Sequence, residues 1–205
     1  MTAGDIWVAD RGYAKGAGLH HLVQGGADFV VRVSWNSLSL RTVDGKTFDM
    51  AKRLKRLGKN ACAEWKAIAV TPDKKQVPRR LLVRPKPAGT VPREIKRITE
   101  KAARRGRTRR SGKPDPRSLL TAQFTILATS LTNPAKQLFD LYALRWQIEI
   151  AFKRLKSQLH IDRLPAKDPD LARTWLLAHI IAALLIEDHV DKALDIPPSA
   201  LRYAA

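Results

Sequence analysis

Four polar residues in the C-terminal half of the chain have a spacing that could support chemistry on phosphate. Tyr142, Arg145, Glu149 and Lys156 fall within an arc of roughly 60° on a helix, because each helical residue turns by about 100°. A guanidinium and an ammonium can each hold a phosphate, a phenol can donate a hydrogen bond, and carboxylate oxygens suit hard divalent cations. The plainer interpretation makes Glu149 a solvated acid that pairs with a neighbour one helical turn away.

An apolar stripe beside these residues indicates the helix that must carry them. Thr132 or Asn133 can cap this helix, with Pro134 in its first turn. The stripe has the period of a helix packed on a core and consists of Leu144, Ile148, Ala151, Phe152, Leu155 and Leu159. Glu149 is therefore expected beside a buried seam. A last helix over residues 171–190 is expected to complete the core.

The predicted helix resembles a family signature at all four polar positions. The signature is Y-x2-R-x3-E-x6-K of the DDE transposases of bacterial insertion sequences, in insertion sequence family four, and the matching segment is LYALRWQIEIAFKRLKSQL. The resemblance implies that Glu149 is the third acid of a metal-binding Asp-Asp-Glu triad. It also implies that Tyr142, Arg145 and Lys156 hold the phosphate backbone at the transposon end.

A second pattern near the N-terminus, IWVADRGY, is similar to the second-acid motif of the same family. Residues 6–9 are predicted to form a buried strand that ends at Asp10, and a helix over residues 15–23 is expected to end at Gly25 and Gly26. An acid at the carboxyl end of such a strand faces the crevice where α/β sheets bind ligands. The alternative makes Asp10 a helix cap or a turn residue.

The order of elements predicts an α/β fold. Strand, acid, helix, strand, β-rich insertion, strand and acid-bearing helix together resemble the later half of a ribonuclease-H-like transposase core that is interrupted by a β-rich insertion. Asp49 is expected to cap a short basic helix in that insertion, and Asp44-Gly45 to form a turn. The predicted divisions are 1–35 for the first part of the core, 36–120 for the insertion, 121–192 for the rest of the core and 193–205 for a tail.

The charge balance points to a polyanionic partner. The 205 residues carry 38 Lys and Arg against 19 Asp and Glu, a formal charge of +19. Nucleic acid is the expected partner of such a chain. The alternative for a charged run is a solvated surface. The strongest local excess lies between residues 93 and 117, and its predicted DNA contacts are Arg104, Arg105, Arg107, Arg109 and Arg110.

The resemblance implies a metal-dependent reaction on DNA. Mg²⁺ or Mn²⁺ held by Asp10 and Glu149 would activate water or a 3′-hydroxyl for in-line displacement at phosphorus. The family's first Asp is expected well upstream of Asp10, so the chain resembles the C-terminal part of a transposase that is inactive alone. The alternatives are a DNA-binding or subunit-interfering fragment, or a generic RNA-binding protein, although motifs of the latter class are missing from the sequence.

The expected partners are duplex DNA at transposon ends and either a second copy or a full-length transposase subunit. Cys62 is the single cysteine, which suits a reducing bacterial cytoplasm. No membrane partner is expected, because the apolar stretch at residues 175–186 is shorter than the about 20 residues that span a bilayer. It is predicted to be a buried helix.

Overall fold

A six-stranded mixed sheet is built from residues 6–129 of the computed structural model, which describes residues 2–58, 60–106, 112–158, 160–161, 164 and 167–194. The spatial order of the strands is β1-β2-β6-β5-β4-β3. β1 and β2 are parallel, and every other neighbouring pair is antiparallel. The strands are β1 (Ile6–Ala9), β2 (Asp28–Arg32), β3 (Ser39–Arg41), β4 (Ala63–Val70), β5 (Gln76–Pro85) and β6 (Phe124–Thr129).

The described residues also form six α-helices, so the predicted α/β class is confirmed. The helices are α1 (Gly16–Gln24), α2 (Met50–Leu57), α3 (Val91–Gly106), α4 (Pro116–Thr121), α5 (Ala135–Gln158) and α6 (Pro169–Leu194). Asp49 caps α2 as predicted, since its Oδ1 accepts a hydrogen bond from the Lys52 N–H at 2.9 Å. Contacts divide the chain into two compact units, residues 1–145 and 146–205. The divisions predicted at residues 36, 121 and 193 stay predictions.

Alternating side chains of the central strands bury both faces of the sheet. On one face, Phe29 and Val31 join the apolar residues of α1 and α2 in the larger core. On the other face, Val30 and Leu127 pack against Leu138 from the first turns of α5. The sheet therefore fixes the start of the helix that carries the signature residues.

The apolar stripe of α5 does not pack on a core over its described length, so that prediction is wrong. Leu144, Ile148 and Phe152 are 52%, 58% and 57% exposed. Leu138 and Phe139, one to two turns earlier, are the buried residues instead. The period of a helix reports where an apolar stripe lies, but it does not report whether the chain supplies a surface to cover that stripe. Leu159 lies outside the described residues.

Two further elements predicted to be buried are exposed. Ile6 and Trp7 of β1 are 48% and 42% exposed, because β1 is an edge strand that has β2 as its one neighbour within the described residues. Most large apolar residues of α6 that are described are also exposed, although Trp175 and Leu176 are half-buried. The window Pro169–Ile186 is long and apolar enough to cross a membrane by length and composition alone. A core helix of a soluble protein can have the same composition. The expectation of no membrane partner therefore stays a prediction.

A buried arginine on β5 has no acidic partner among the described residues. Arg79 is 4% exposed, and burial lowers its pKa to about 9. Its Nε and Nη2 both donate to the Val77 carbonyl at 3.1 and 2.8 Å, while its Nη1 has no partner within the described residues. Desolvation of this cation is therefore poorly compensated.

We expect Arg79→Met to stabilise the protein by about 1–2 kcal/mol, because methionine fills similar space without a charge to desolvate. The melting temperature should rise by about 2–6 °C in a calorimetric scan. Arg84→Met is the matched control, since Arg84 is an exposed residue of the same strand whose guanidinium lies 4.4 Å from the Phe139 ring centroid. The control should be neutral or slightly destabilising. A lower melting temperature for Arg79→Met would show that burial of this charge is compensated.

Candidate active site and basic pocket

Asp10 lies at the carboxyl end of β1, where the strand runs into a short 3₁₀ turn, Arg11–Tyr13. Its side chain is exposed, and its Oδ1 accepts a hydrogen bond from the Gly12 N–H at 2.7 Å. A Cβ at Gly12 would lie 3.1 Å from the same oxygen, so glycine permits this close approach. Within the described residues, Oδ2 has no hydrogen-bond partner. Asp10 is thus a cap that keeps one carboxylate oxygen available.

Helix α5 contains all four signature residues without interruption, so the helical spacing inferred from the sequence is confirmed. Tyr142 and Arg145 belong to the first unit, are half-buried, and place the Arg145 Cζ 5.4 Å from the Tyr142 ring centroid. The buried phenol oxygen of Tyr142 has no hydrogen-bond partner among the described residues. This pair is an ordered cationic and phenolic group on the part of α5 that packs on the sheet.

Glu149 and Lys156 belong to the second unit, and both side chains are exposed. They line one open groove of α5 together with Phe152, Lys153 and Ser157. The structure thus brings the predicted acid and the predicted phosphate-binding lysine to one surface of the helix. No group of three or more His, Cys, Asp and Glu side chains suited to a metal ion occurs in the described part of the chain.

The predicted DNA contacts of the basic run are only partly described. Arg104 and Arg105 are exposed in the last turn of α3. Arg107, Arg109 and Arg110 lie outside the described residues. Helix α4 follows, with Asp115 as its cap.

A basic pocket of about 520 Å³ lies within the first unit and was not predicted from the sequence. Its walls come from the end of β2, the end of β5, α3 and α4. Two acids, Glu94 and Asp115, also line it. The six cations that line it, here called the basic pocket residues, are Arg11, Arg32, Lys86, Lys101, Arg105 and Lys113.

Glu94 of α3 is the anionic centre of this pocket. Its Oε1 lies 3.6 Å from the Lys86 Nζ and 3.9 Å from an Arg32 nitrogen, and its Oε2 accepts from Arg97 at 2.8 Å. Burial opposes the charge of Glu94, but Lys86 and Arg97 more than offset this and hold its pKa below the ordinary value. Burial and the neighbouring Arg32 lower the pKa of Lys86. One carboxylate is therefore shared by three cations.

The basic pocket has no signature in the local sequence. Its cations lie on separate elements and come together through the sheet and through the packing of α3 near α4. The charge excess between residues 93 and 117 was a usable signal for Lys101 and Arg105. No comparable signal marks Arg32 or Lys86.

The sequence is similar to transposases, both in a comparison with protein families and in a comparison with individual proteins. The family described as Transposase DDE domain matches residues 2–185. The chain is 38% identical to the Transposase for insertion sequence element IS421 of Escherichia coli, over 97% of this chain and 54% of that protein. It is 26% identical to the Transposase for insertion sequence element IS231F of Bacillus thuringiensis subsp. israelensis, over 94% of this chain and 43% of that protein. No solved structure matches.

The chain thus spans about half the length of the curated relatives it matches. The family match covers both the strand that ends at Asp10 and the helix that carries Glu149. Together with the identity to insertion-sequence transposases, this match is sufficient to assign the family. The chain belongs to the DDE transposase family.

Proposed function

We propose that this chain contributes the later part of the catalytic core of an insertion-sequence transposase that cleaves and joins DNA at transposon ends. The observation that carries the proposal is helix α5, one continuous helix that bears Tyr142, Arg145, Glu149 and Lys156 at the family spacing. We further propose that the sheet is the later half of a ribonuclease-H-like core, with residues 36–120 as its β-rich insertion.

The proposed chemistry is phosphoryl transfer. The oxygen of water or of a 3′-hydroxyl forms a new bond to phosphorus, and the bridging 3′-oxygen of the cleaved strand leaves. Arg145 offers a planar fork to a backbone phosphate, Lys156 a point charge, and the Tyr142 phenol a hydrogen-bond donor that has no partner among the described residues. These three residues bind and orient the DNA strand.

Asp10 and Glu149 are the proposed ligands of a divalent cation, Mg²⁺ or Mn²⁺. Their donor chemistry fits, because both side chains are exposed carboxylates and Asp10 keeps its Oδ2 without a partner in the described residues. Such a cation, when bound, lowers the pKa of water and stabilises the leaving oxygen. The two residues supply part of its coordination.

The proposed partners are duplex DNA at transposon ends and a second copy or a full-length transposase subunit. The relatives are named as transposases of insertion sequences, which supports DNA as the partner. The charge of +19 supports the same partner. We propose the bacterial cytoplasm, at the nucleoid, as the place of action.

A second candidate function is a non-catalytic DNA-binding or subunit-interfering fragment. The basic pocket favours it, because six cations suited to phosphate line one cavity of the first unit, independently of the two acids Asp10 and Glu149. A fragment of this kind would occupy transposon ends or join full-length subunits without cutting.

Incubation of the purified chain with supercoiled plasmid and a labelled transposon-end duplex, with Mg²⁺, Mn²⁺ or EDTA, distinguishes the two functions. Strand nicking that depends on the divalent ion supports the transposase proposal. Binding of the duplex without nicking, together with reduced nicking by a full-length transposase subunit when the chain is added, supports the DNA-binding or subunit-interfering fragment. Failure to bind either DNA at low salt contradicts both functions, because both require DNA as the partner.

A further inference from the structure

Lys86 is a partly buried cation whose charge is only partly balanced. Its side chain is 9% exposed, and its nearest acid is Glu94 at 3.6 Å. Glu94 lies closer to Arg97, at 2.8 Å, and also contacts Arg32 at 3.9 Å. Because one carboxylate serves three cations, an additional anion between Lys86 and Arg32 would be stabilised by both.

The second acid of the pocket does not change this balance. Asp115 Oδ2 accepts from the Arg117 guanidinium at 2.8 Å, and Asp115 also caps the first turn of α4. Arg117 is not among the residues that line the pocket. The charge of Asp115 is therefore directed to a cation outside the pocket, and the cavity itself keeps a large positive excess.

The shape of the pocket favours a nucleic-acid backbone over a small free anion. A cavity of about 520 Å³ is much larger than one phosphate, and the exposed residues Lys101 and Arg105 of α3 belong to its lining. A strand that places one phosphate near Lys86 would also carry neighbouring phosphates toward these two exposed cations. A ligand with several phosphates in a row, such as a DNA strand, therefore suits this lining better than a single phosphate does.

We propose that the basic pocket is a binding site for DNA backbone phosphates, and that Glu94 competes with them for Lys86 and Arg32. The proposal rests on DNA as the ligand in the proposed function. In the free protein Glu94 holds the cations together, and a bound phosphate takes over part of that role. The pocket binds without regard to base sequence, since it contacts the backbone.

Matched lysine variants on α3 test the proposal without a risk to folding. Lys101→Gln removes an exposed pocket cation, whereas Lys96→Gln makes the same change at an exposed position of the same helix that does not line the pocket. Affinity for a labelled duplex, measured by fluorescence anisotropy at several salt concentrations, should fall about fivefold for Lys101→Gln. The log-log salt slope should become shallower by about 0.9. Lys96→Gln should change both quantities much less.

Two variants at the centre of the pocket test the competition. Lys86→Gln should weaken duplex binding by about tenfold, because it removes a buried charge-assisted contact. Glu94→Gln should tighten binding by about threefold, since the competing carboxylate is gone while the amide keeps its shape. Weaker binding by Glu94→Gln would overturn the competition. Circular dichroism confirms that each variant is folded.

The outcomes separate the pocket from the proposed function. If the wild-type chain binds the duplex but Lys101→Gln and Lys86→Gln bind like Lys96→Gln, the pocket inference fails and the proposed function stands. If the wild-type chain does not bind the duplex, both fail. Inorganic phosphate is the probe for a free-anion site. Displacement of the duplex by phosphate well below the ionic strength at which potassium chloride displaces it would overturn the assignment to a DNA backbone.

Discussion

In a transposase assembly that nicks DNA, Glu149→Gln is expected to lower divalent-metal-dependent nicking by on the order of 10³-fold, because glutamine keeps the shape of the side chain but loses the anionic ligand. Asp10→Asn should have an effect of similar size for the same reason. Nicking of supercoiled plasmid at fixed Mg²⁺ measures both. A second readout is Mn²⁺ binding followed by electron paramagnetic resonance, which requires no turnover and should weaken in each variant.

Asp140→Asn is the matched control for Glu149→Gln. Asp140 is an exposed acid of the same helix, and nine residues of helical rotation place it about 180° away from Glu149. The control should nick DNA and bind Mn²⁺ like the wild-type chain. Equal losses in the control and in Glu149→Gln would mean that the effect comes from net charge or from folding. Unchanged Mn²⁺ binding in Glu149→Gln would remove Glu149 from the ligand set.

Arg80→Met is expected to lower the free energy of unfolding by about 2–4 kcal/mol, because Arg80 joins β5 to the start of α5. Its Nε and Nη2 donate to the Glu64 carboxylate at 2.7 and 2.9 Å. Its Nη1 donates to the carbonyl oxygens of Leu131 and Asn133 at 2.7 and 2.9 Å. Urea denaturation followed by circular dichroism measures the change.

Arg80 is thus a positioning residue for the signature helix, since Leu131 and Asn133 lie in the short segment between β6 and α5. Lys66→Met, at an exposed position of β4, is a control that removes a cation whose side chain makes no hydrogen bond within the described residues. It should change stability by less than about 0.5 kcal/mol. If Arg80→Met unfolds like this control, the carbonyl contacts do not hold the start of α5.

The ion pair between Arg80 and Glu64 also makes the stability of the protein depend on pH, in a direction that can be predicted. The hydrogen bonds from Arg80 lower the pKa of Glu64 below its ordinary value of 4.5. The stabilisation is therefore present above pH 4.5 and is lost as the pH falls through the lowered pKa of the folded state. Wild-type stability should decline more steeply below that pH than the stability of Glu64→Gln, which does not titrate. Parallel curves from pH 6 to pH 3 would contradict this assignment.

The sequence by itself determined the features that depend on local chemistry. The Asp49 cap, the long helix α5 and the strand that ends at Asp10 follow from residue types and short spacings, and all three are present. The signature on α5 and the charge of +19 were sufficient to recognise a DDE transposase, which the family match confirms. The roles of the individual site residues stay predictions.

Only the tertiary structure decided which of these elements are covered. Ile6 is exposed because β1 has one neighbour in the sheet, and the same kind of apolar pattern gives a fully buried Val30 in β2, which has two. Arg32 and Glu94 approach each other from elements far apart in sequence, and the buried Arg79 of β5 likewise lies 5.8 Å from the Phe29 ring of β2. Local periodicity fixes which side of an element is apolar, but burial and charge pairing depend on neighbours that only the folded chain brings together.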